Sequence, residues 1–536
     1  MGQRELAGQC ELVGQRQRVQ AVSERQPIGP TSPLRASHLL RNPAVWLPPA
    51  ILASALVFVM TLIYFGSIVN PAGHLHGLPV SVVDEDAGAT VGSRRVDYGA
   101  EITAALVHSH AVSSRLALDV QSLGPAKRRM NLGKSYTTVV IPRQFTSSLL
   151  TVAGLSAGAG SSRSLPTVEL RTNPRAGTLG VSLATEVLKP ALARASSEIG
   201  RELSRAASGH PTSAATRALL GDPITVATAA YRPLPSHSGL GLSAFYIALL
   251  TTFCGFLGAI IVNTSVDVAL GYATTEVGPA WHQRVPVPIS RWQTLLAKWA
   301  IAVVLTLVLT GLMLLAAVGI LNMNTPHFGD LWLLAWFAAA VVAIGTLALF
   351  AALGNLGQLV AILVFVYLAL ASSGGTVPIE ALSGFYRSIA NFEPLRQILD
   401  GVRAILYFNA QAAAGLSRAW IATALGLVFW VAVGAAITLY YDRRGLDRMS
   451  PDLLEYVNRA ASDYVREDRQ SPAREGAGRD VAAGDVARAH AARGDVARGD
   501  VERGDAARGD VAGSDAARSD APARPEDTPS TEPPAP

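Results

Sequence analysis

The stretch LWLLAWFAAAVVAIGTLALFAAL, residues 331–353, contains no aspartate, glutamate, lysine or arginine. A helix of about 20 predominantly apolar residues is long enough to cross the hydrocarbon core of a bilayer. Within lipid such a run has to be helical, because each backbone N–H and C=O group must find its partner inside the segment. The stretch therefore predicts a membrane-spanning helix.

Five further apolar runs, equally free of these charged residues, predict helices of the same kind. The six spans are expected at 47–69, 240–262, 299–321, 331–353, 356–373 and 419–441. The fifth is short, so we expect it to stop within the membrane or to continue into a re-entrant element. The composition agrees, since 50% of the 536 residues are apolar and only 16% are charged, against about 25% in soluble domains. One large soluble enzyme is excluded.

Flanking charges predict the orientation. Residues 1–46 contain six arginines against three glutamates, and such an excess marks the cytoplasmic side of a span rather than a nucleic-acid site. The first span is then an uncleaved signal anchor, and an even number of spans returns the C-terminus to the cytoplasm. Arg443 and Arg444 agree, whereas four arginines within 374–418 argue the other way. We expect a multi-pass protein of the plasma membrane with both termini cytoplasmic.

The segment between the first two spans, residues 70–236, alternates strand-like and helix-like patterns. Strands are expected at 78–83, 137–141 and 166–170, and helices at 98–107, 143–150 and 179–203, the last interrupted by Pro190. The predicted fold class is therefore an α-helical integral membrane protein of six spans with a small extracytoplasmic α/β domain between helices 1 and 2.

The sequence contains no recognisable set of catalytic residues, so no enzymatic activity is predicted. The histidine pairs at 74/76 and 108/110 lack a fixed carboxylate partner, and Gly133-Lys134-Ser135 lacks the first glycine of a phosphate loop. The two cysteines, Cys10 and Cys254, lie in a polar tail and an apolar run and are not expected to pair. No cofactor or metal is predicted.

The lack of charge inside the predicted spans bears on the energy source of any transport. Pumps driven by ion gradients usually place an ionisable group near the middle of the membrane. The chain also lacks the GxxxxGK[ST] motif of a nucleotide-binding domain. Transport would then need a separate ATPase, docked on the cytoplasmic loop 263–298. Alternatively, that loop is only a linker.

The outer loop 374–418 contains a helical pattern. Its apolar residues form one stripe, namely Leu395, Ile398, Leu399, Val402, Ile405 and Leu406. Asp400 lies four residues after Arg396 and three before Arg403, which favours ion pairing on a second face. Pro394 suits the first turn, with Asn391 as a nearby cap. The helix is expected either at the outer membrane interface or packed on the bundle.

Four ordered motifs resemble known membrane proteins. LPVSVVDEDAGA at 78–89 and GKSYTTVVIPRQFTSSL at 133–149 are similar to the outer domain of the YhgE/Pip (phage infection protein) group. RVPVPISRW at 284–292 resembles the loop before the third helix of ABC-2 type permeases. SGGTVPIE at 373–380, with the residues that follow to Arg403, resembles their outer re-entrant region.

The resemblance, over residues 43–445, implies a half-transporter that forms a homodimer or heterodimer and couples to a separate cytoplasmic ATPase through the 263–298 loop. Candidate coupling residues are Glu276, Arg284, Pro288, Ser290, Arg291 and Lys298. Candidate outer-loop residues are Gly374, Gly375, Pro378, Glu380, Pro394, Asp400 and Arg403. For each one alone, helix termination or snorkelling along the membrane surface is an equal explanation.

The expected function is that of an ABC-2-like permease subunit that exports an amphipathic, lipid-like or drug substrate. The alternative is a non-transporting envelope protein that displays its outer domain, as a phage receptor or as an envelope or secretion assembly factor. Residues 442–536 repeat Arg-Gly-Asp-Val-Ala and contain too few apolar residues for a core, so this cytoplasmic tail is expected to be disordered.

Overall fold

The computed structural model describes residues 41–91, 93–155, 166–207, 214–278, 280–282, 284, 286–446, 448 and 459. The predicted polar segment up to residue 40 and nearly all of the pentapeptide-repeat tail lie outside these residues. The described part is mostly helical, with a five-stranded sheet inserted between the first two candidate membrane spans.

The elements follow one another as a helix, a mixed α/β segment and a helical bundle. In chain order the helices are α1 (Pro43–Ile68), α2 (Tyr98–His108), α3 (His110–Ser113), α4 (Leu123–Asn131), α5 (Phe145–Val152), α6 (Thr178–Ala206), α7 (Ala214–Gly221), α8 (Ser243–Ala269), α9 (Arg291–Ile320), α10 (Phe328–Leu353), α11 (Asn355–Ser372), α12 (Gly384–Ile389), α13 (Pro394–Tyr407) and α14 (Leu416–Arg443). The strands are β1 (Leu78–Asp84), β2 (Ala89–Val91), β3 (Arg94–Val96), β4 (Leu116–Val120), β5 (Thr137–Ile141), β6 (Thr167–Thr172), β7 (Thr225–Ala230), β8 (Thr275–Val277) and β9 (Ala280–His282).

Helices α1, α8, α9, α10, α11 and α14 are long and apolar enough to cross a membrane, which confirms the six predicted spans. Helix α10 is the central one, because 72% of its most apolar stretch is buried by the rest of the chain, against 6% for α1. We call the end that bears the five-stranded sheet the sheet end, and the end that bears the β8–β9 hairpin the hairpin end.

The third span begins earlier than the sequence predicted. Its first residue is Arg291 rather than residue 299, because Ser290 caps the helix: its hydroxyl accepts a hydrogen bond from the Gln293 N–H at 3.2 Å. The Asp442 carboxylate, at the end of α14, accepts two more from the N–H groups of Arg291 and Trp292, each at 3.0 Å. Since α8 also extends to Ala269, the predicted loop 263–298 shortens to residues 270–290.

The five-stranded sheet has the order β4-β1-β5-β6-β7. Strand β1 pairs in parallel with β4 and β5, β6 runs antiparallel to β5, and β7 is parallel to β6. The predicted strands at 78–83, 137–141 and 166–170 are confirmed as β1, β5 and β6. Strands β4 and β7 were not predicted: five of the six residues of β7 are exposed, which leaves no apolar pattern in the sequence.

Helices α2, α5 and α6 share a continuous apolar core with the sheet. The predicted helices at 98–107 and 143–150 are confirmed within two residues at each end. The expected interruption at Pro190 is wrong, because α6 continues through it and buries an apolar stripe from Leu183 to Leu203. Tertiary packing of such a face outweighs the loss of one backbone hydrogen bond. We call residues 78–230 the sheet unit.

Candidate functional site

Helix α13 is the centre of the region between the last two spans. Glu393 caps it: the carboxylate accepts hydrogen bonds from the N–H groups of Leu395 and Arg396, each at 2.9 Å. The expectation that Asn391 is the cap is wrong, since Pro394 fixes the first helical position and places Glu393 directly before it. Asn391 instead accepts a hydrogen bond from the Arg396 guanidinium at 3.3 Å.

The predicted apolar stripe of α13 is confirmed and is fully buried. All six of its residues, from Leu395 to Leu406, are at most 3% exposed. They join a core with α8 and α10, and Gly401 lies so close to Leu334 and Ala419 that a Cβ there would come within 2.7 Å of both. Of the two expected placements, the structure therefore shows the helix packed on the bundle.

The opposite face of α13 is polar, and its charges are arranged as the spacing predicted. Arg396 Nε lies 3.9 Å from an oxygen of Asp400. Arg403 donates hydrogen bonds to the carbonyl oxygens of Gly374 and Gly375, at 3.1 and 3.2 Å. This arginine therefore fixes the chain where it leaves α11.

Both glycines are required by the geometry. Gly374 has φ +71°, in the left-handed region. A Cβ on Gly375 would lie 2.1 Å from the ring of Phe245 on α8, far inside van der Waals contact. The predicted outer-loop residues thus include a tight turn that packs directly on the second span.

Glu380 joins the sheet unit to this loop. Its backbone oxygen accepts hydrogen bonds from the N–H of His76, just before β1, and from the Arg387 guanidinium, at 2.9 and 3.1 Å. Burial raises the pKa of the Glu380 carboxyl, and one of its oxygens is buried without a hydrogen-bond partner among the described residues. Pro378 is buried beside it.

The polar face of α13 lines a cavity of about 460 Å³ at the sheet end, which we call the polar cavity. Its charged lining consists of Lys134 from the sheet unit, Glu380, Arg396, Asp400 and Arg403 from the loop and α13, and Arg418 from the start of α14. Sequence reasoning missed Lys134 and Arg418 as members, because neither belongs to a local pattern with the other four. Burial raises the pKa of Asp400 and lowers that of Arg396.

A second cavity, of about 450 Å³, lies on the other side of α13, and we call it the apolar cavity. Its walls come mainly from α10, α11 and α14, with Val341, Phe365 and Trp430 among the large side chains. Pro394 and Ile398 of α13 close one end, where Asn391 and Gln397 add amide groups. No sequence signal indicated this cavity.

A charged cluster lies at the hairpin end. Lys298 is 3% exposed and donates hydrogen bonds to Asn263 and Asp267, both at 2.7 Å. Arg448 also contacts the same oxygen of Asp267, at 2.6 Å. The expectation that Lys298 belongs to a loop and that the bundle buries no titratable side chain is wrong, because α9 begins eight residues earlier than predicted.

The other predicted coupling residues do not converge on one site. Glu276 is exposed on β8, Arg284 and Pro288 are exposed in the chain after β9, and Ser290 caps α9. Arg291 stacks on Tyr441, 5.3 Å from the ring centre, and donates to the Leu446 carbonyl at 2.7 Å. The structure thus assigns Ser290 and Arg291 to the joint between the third and sixth spans.

Among the described residues, no group of three or more histidine, cysteine, aspartate or glutamate side chains is placed to hold a metal ion. The fold and its cavities define a class: a helical protein with six candidate membrane spans and an α/β unit inserted between the first two. The chain belongs to the family described as protein of unknown function DUF3533, whose profile matches residues 50–426. Comparisons with curated proteins and with solved structures find no match.

Proposed function

We propose that the chain is an ABC-2-like permease subunit that exports an amphipathic substrate. The observation that carries the proposal is the position of α13, which separates an apolar cavity from a polar cavity of nearly equal volume. Both volumes fall in the range of small-molecule sites, roughly 300–1,000 Å³. A molecule with an apolar body and a polar head matches this pair of environments.

The paths open to such a substrate follow from the walls of the cavities. The apolar cavity is bounded by candidate spans, so a substrate dissolved in the membrane could enter it from the side. The polar cavity lies between the end of α11 and the first turn of α14, next to the sheet unit. Transport across α13 then requires this helix, or the turn at Gly374, to move between two arrangements.

The proposed orientation places the sheet unit outside the cell and both termini in the cytoplasm of a plasma-membrane protein. A separate ATPase would then meet the hairpin end, where β8 and β9 form a hairpin between α8 and α9. Lys298 and Asp267 are paired near that end rather than at the middle of the spans. This position suits a structural joint better than a proton path, which supports an external energy source.

Kinship with the YhgE/Pip group and ABC-2 permeases is part of the proposal. Two of the resembling motifs meet in space, which gives their residues a shared physical role. Asp86, in the turn after β1, accepts hydrogen bonds from the N–H and hydroxyl of Thr146 at the start of α5. It also accepts one from the Gly99 N–H at the start of α2, at 3.2 Å. The acidic turn thus caps two helices.

The test uses inside-out membrane vesicles from cells that lack the endogenous gene and express the full chain. We expect ATP-dependent uptake of a fluorescent amphiphile that persists when ionophores collapse the ion gradients. Replacing Thr275–His282 by a glycine-serine linker of equal length should abolish uptake without reducing the amount of folded protein. Uptake driven by an ion gradient alone, without ATP, would refute the coupling.

The display of an outer domain is the competing function, favoured by the continuous apolar core that α2, α5 and α6 form with the sheet. Under that function, deleting residues 78–230 abolishes activity, whereas the hairpin replacement has no effect. The permease requires both segments. Protease digestion of intact cells adds an independent measure, since both functions require the sheet unit to be cleaved from outside. Cleavage in inside-out vesicles but not in intact cells would contradict both functions.

A further inference from the structure

The polar cavity has an excess of positive charge. Lys134, Arg396, Arg403 and Arg418 line it together with only two carboxylates, those of Glu380 and Asp400. When both carboxylates are ionised, two of the four positive charges therefore have no negative counterpart in the cavity wall. Because a cavity with low-dielectric walls focuses the field of its charges, an anion is attracted to it.

The four cationic side chains differ in how many of their N–H groups already contact other groups of the protein. Arg403 is held by two backbone carbonyls. Arg396 faces Asp400 at 3.9 Å and donates to Asn391 from one terminal nitrogen, while its Nε atom has no hydrogen-bond partner among the described residues. The side chains of Lys134 and Arg418 are exposed, and neither forms an ion pair within the described part of the chain. Donors for a ligand are thus present both at the depth of the cavity and at its rim.

The level of the cavity along the bundle indicates where the anion comes from. Its lining residues from Gly374 to Arg418 fall between the end of α11 and the first turn of α14. Helix ends of this kind lie where the hydrocarbon core gives way to lipid head groups. An anion carried by an amphiphile therefore reaches the cavity at the depth of its own head group.

We propose that the polar cavity binds the phosphate-bearing head group of the amphiphile that the protein transports, with Arg418 and Lys134 as its entry contacts and Arg396 as the inner donor. This assignment rests on the proposed permease function and specifies its substrate class. The planar guanidinium matches the geometry of phosphate oxygens. The charge of a phosphate monoester, about −1.5 to −2 at neutral pH, matches the two positive charges of the cavity that have no carboxylate partner.

Binding is tested on the purified full chain in an uncharged detergent by isothermal titration calorimetry. The probes are dihexanoyl phosphatidic acid, dihexanoylglycerol, which lacks the phosphate, and inorganic phosphate. We expect the phosphatidic acid to bind and the neutral glyceride not to bind. Inorganic phosphate that binds as tightly as the lipid would overturn the head-group assignment and make free phosphate the ligand.

Two pairs of variants locate the site. Arg418→Gln should weaken binding about tenfold, equivalent to ~1.4 kcal/mol, whereas Arg443→Gln, at the opposite end of the same helix, should leave it unchanged. Lys134→Gln should also weaken binding, and Lys127→Gln, an exposed lysine outside the cavity, should not. Equal losses in Arg418→Gln and Arg443→Gln would overturn the site, because non-specific attraction of the lipid to the protein surface would explain them.

Failure of this inference can be told apart from failure of the permease function. ATP-dependent uptake of amphiphiles irrespective of a phosphate, with no binding of phosphatidic acid, would overturn the head-group site alone. Specific binding that is sensitive to Arg418→Gln, without transport in vesicles, would leave the site in place and overturn its link to export.

Discussion

The carboxyl of Glu393 should make the protein less stable as the pH rises. An ordinary paired carboxylate has the opposite effect. The side chain is 5% exposed, and burial raises its pKa to about 7 from the ordinary value of 4.5, in spite of the two backbone hydrogen bonds that favour ionisation. The folded state therefore holds this proton over a pH range in which the unfolded chain releases it. The stabilising contribution is complete below pH 4.5 and is lost as the pH rises through 7.

The size of the effect follows from the same shift. Each unit of pKa difference corresponds to about 1.4 kcal/mol, so ionising Glu393 lowers the stability of the folded state by roughly 3 kcal/mol between these limits. Glu393→Gln keeps one acceptor for the start of α13 but cannot ionise. We expect the variant to be less stable than the wild type at pH 5, by ~1 kcal/mol for the weakened cap. At pH 8 it should be equally or more stable.

The assay is thermal unfolding of the purified protein in detergent, followed by the fluorescence of its eight tryptophans at pH 5, 6, 7 and 8. Comparing variant with wild type at each pH cancels the contributions of Glu380 and Asp400, which are unchanged. Glu85→Gln, at an exposed glutamate, is the matched control and should follow the wild type throughout. If Glu393→Gln remains less stable than the wild type by a constant amount, or by an amount that increases with pH, the reasoning is refuted.

Two further predictions concern contacts that hold the bundle together. Asp267→Asn leaves Lys298 and Arg448 together without an anion and should destabilise the protein by about 3–5 kcal/mol. Lys298→Met leaves Asp267 paired with Arg448, so it should destabilise the protein clearly less in the same thermal assay. A larger loss of stability in Lys298→Met than in Asp267→Asn would contradict the shared contact of both cations with Asp267. Gly375→Ala should destabilise by about 1–3 kcal/mol through overpacking against Phe245, and Phe245→Leu in the same chain should restore part of the loss. Strictly additive effects of the two changes would show that the contact is absent.

Much of the architecture could be predicted because it depends on local pattern. A charge-free run of sufficient length identifies a span whatever surrounds it, and the β-branched runs at 78–83 and 137–141 became β1 and β5. The α13 stripe was also visible, since helical spacing places its residues on one face. What failed were the boundaries: α9 begins at Arg291 because Asp442, some 150 residues away in sequence, caps its first turn.

The functional candidates show the same division. Arg396, Asp400 and Arg403 could be grouped from their spacing along one helix. Lys134 and Arg418 could not, because they come from a strand-flanking loop and a span terminus that meet only when the sheet unit rests on the bundle. Arg175 illustrates the distance involved: its guanidinium donates to the Tyr407 carbonyl at 3.1 Å, across 232 residues of sequence.

The amino-acid sequence by itself determined how many helices can enter a membrane and which segments form the inserted α/β unit, because hydrophobicity and backbone propensity act between near neighbours. Only the tertiary structure decided that α13 lies between two cavities, that four cations share one of them, and that Lys298 is buried against Asp267. These features depend on which faces of distant elements come into contact, and close packing selects those faces by shape and charge once the whole chain is assembled.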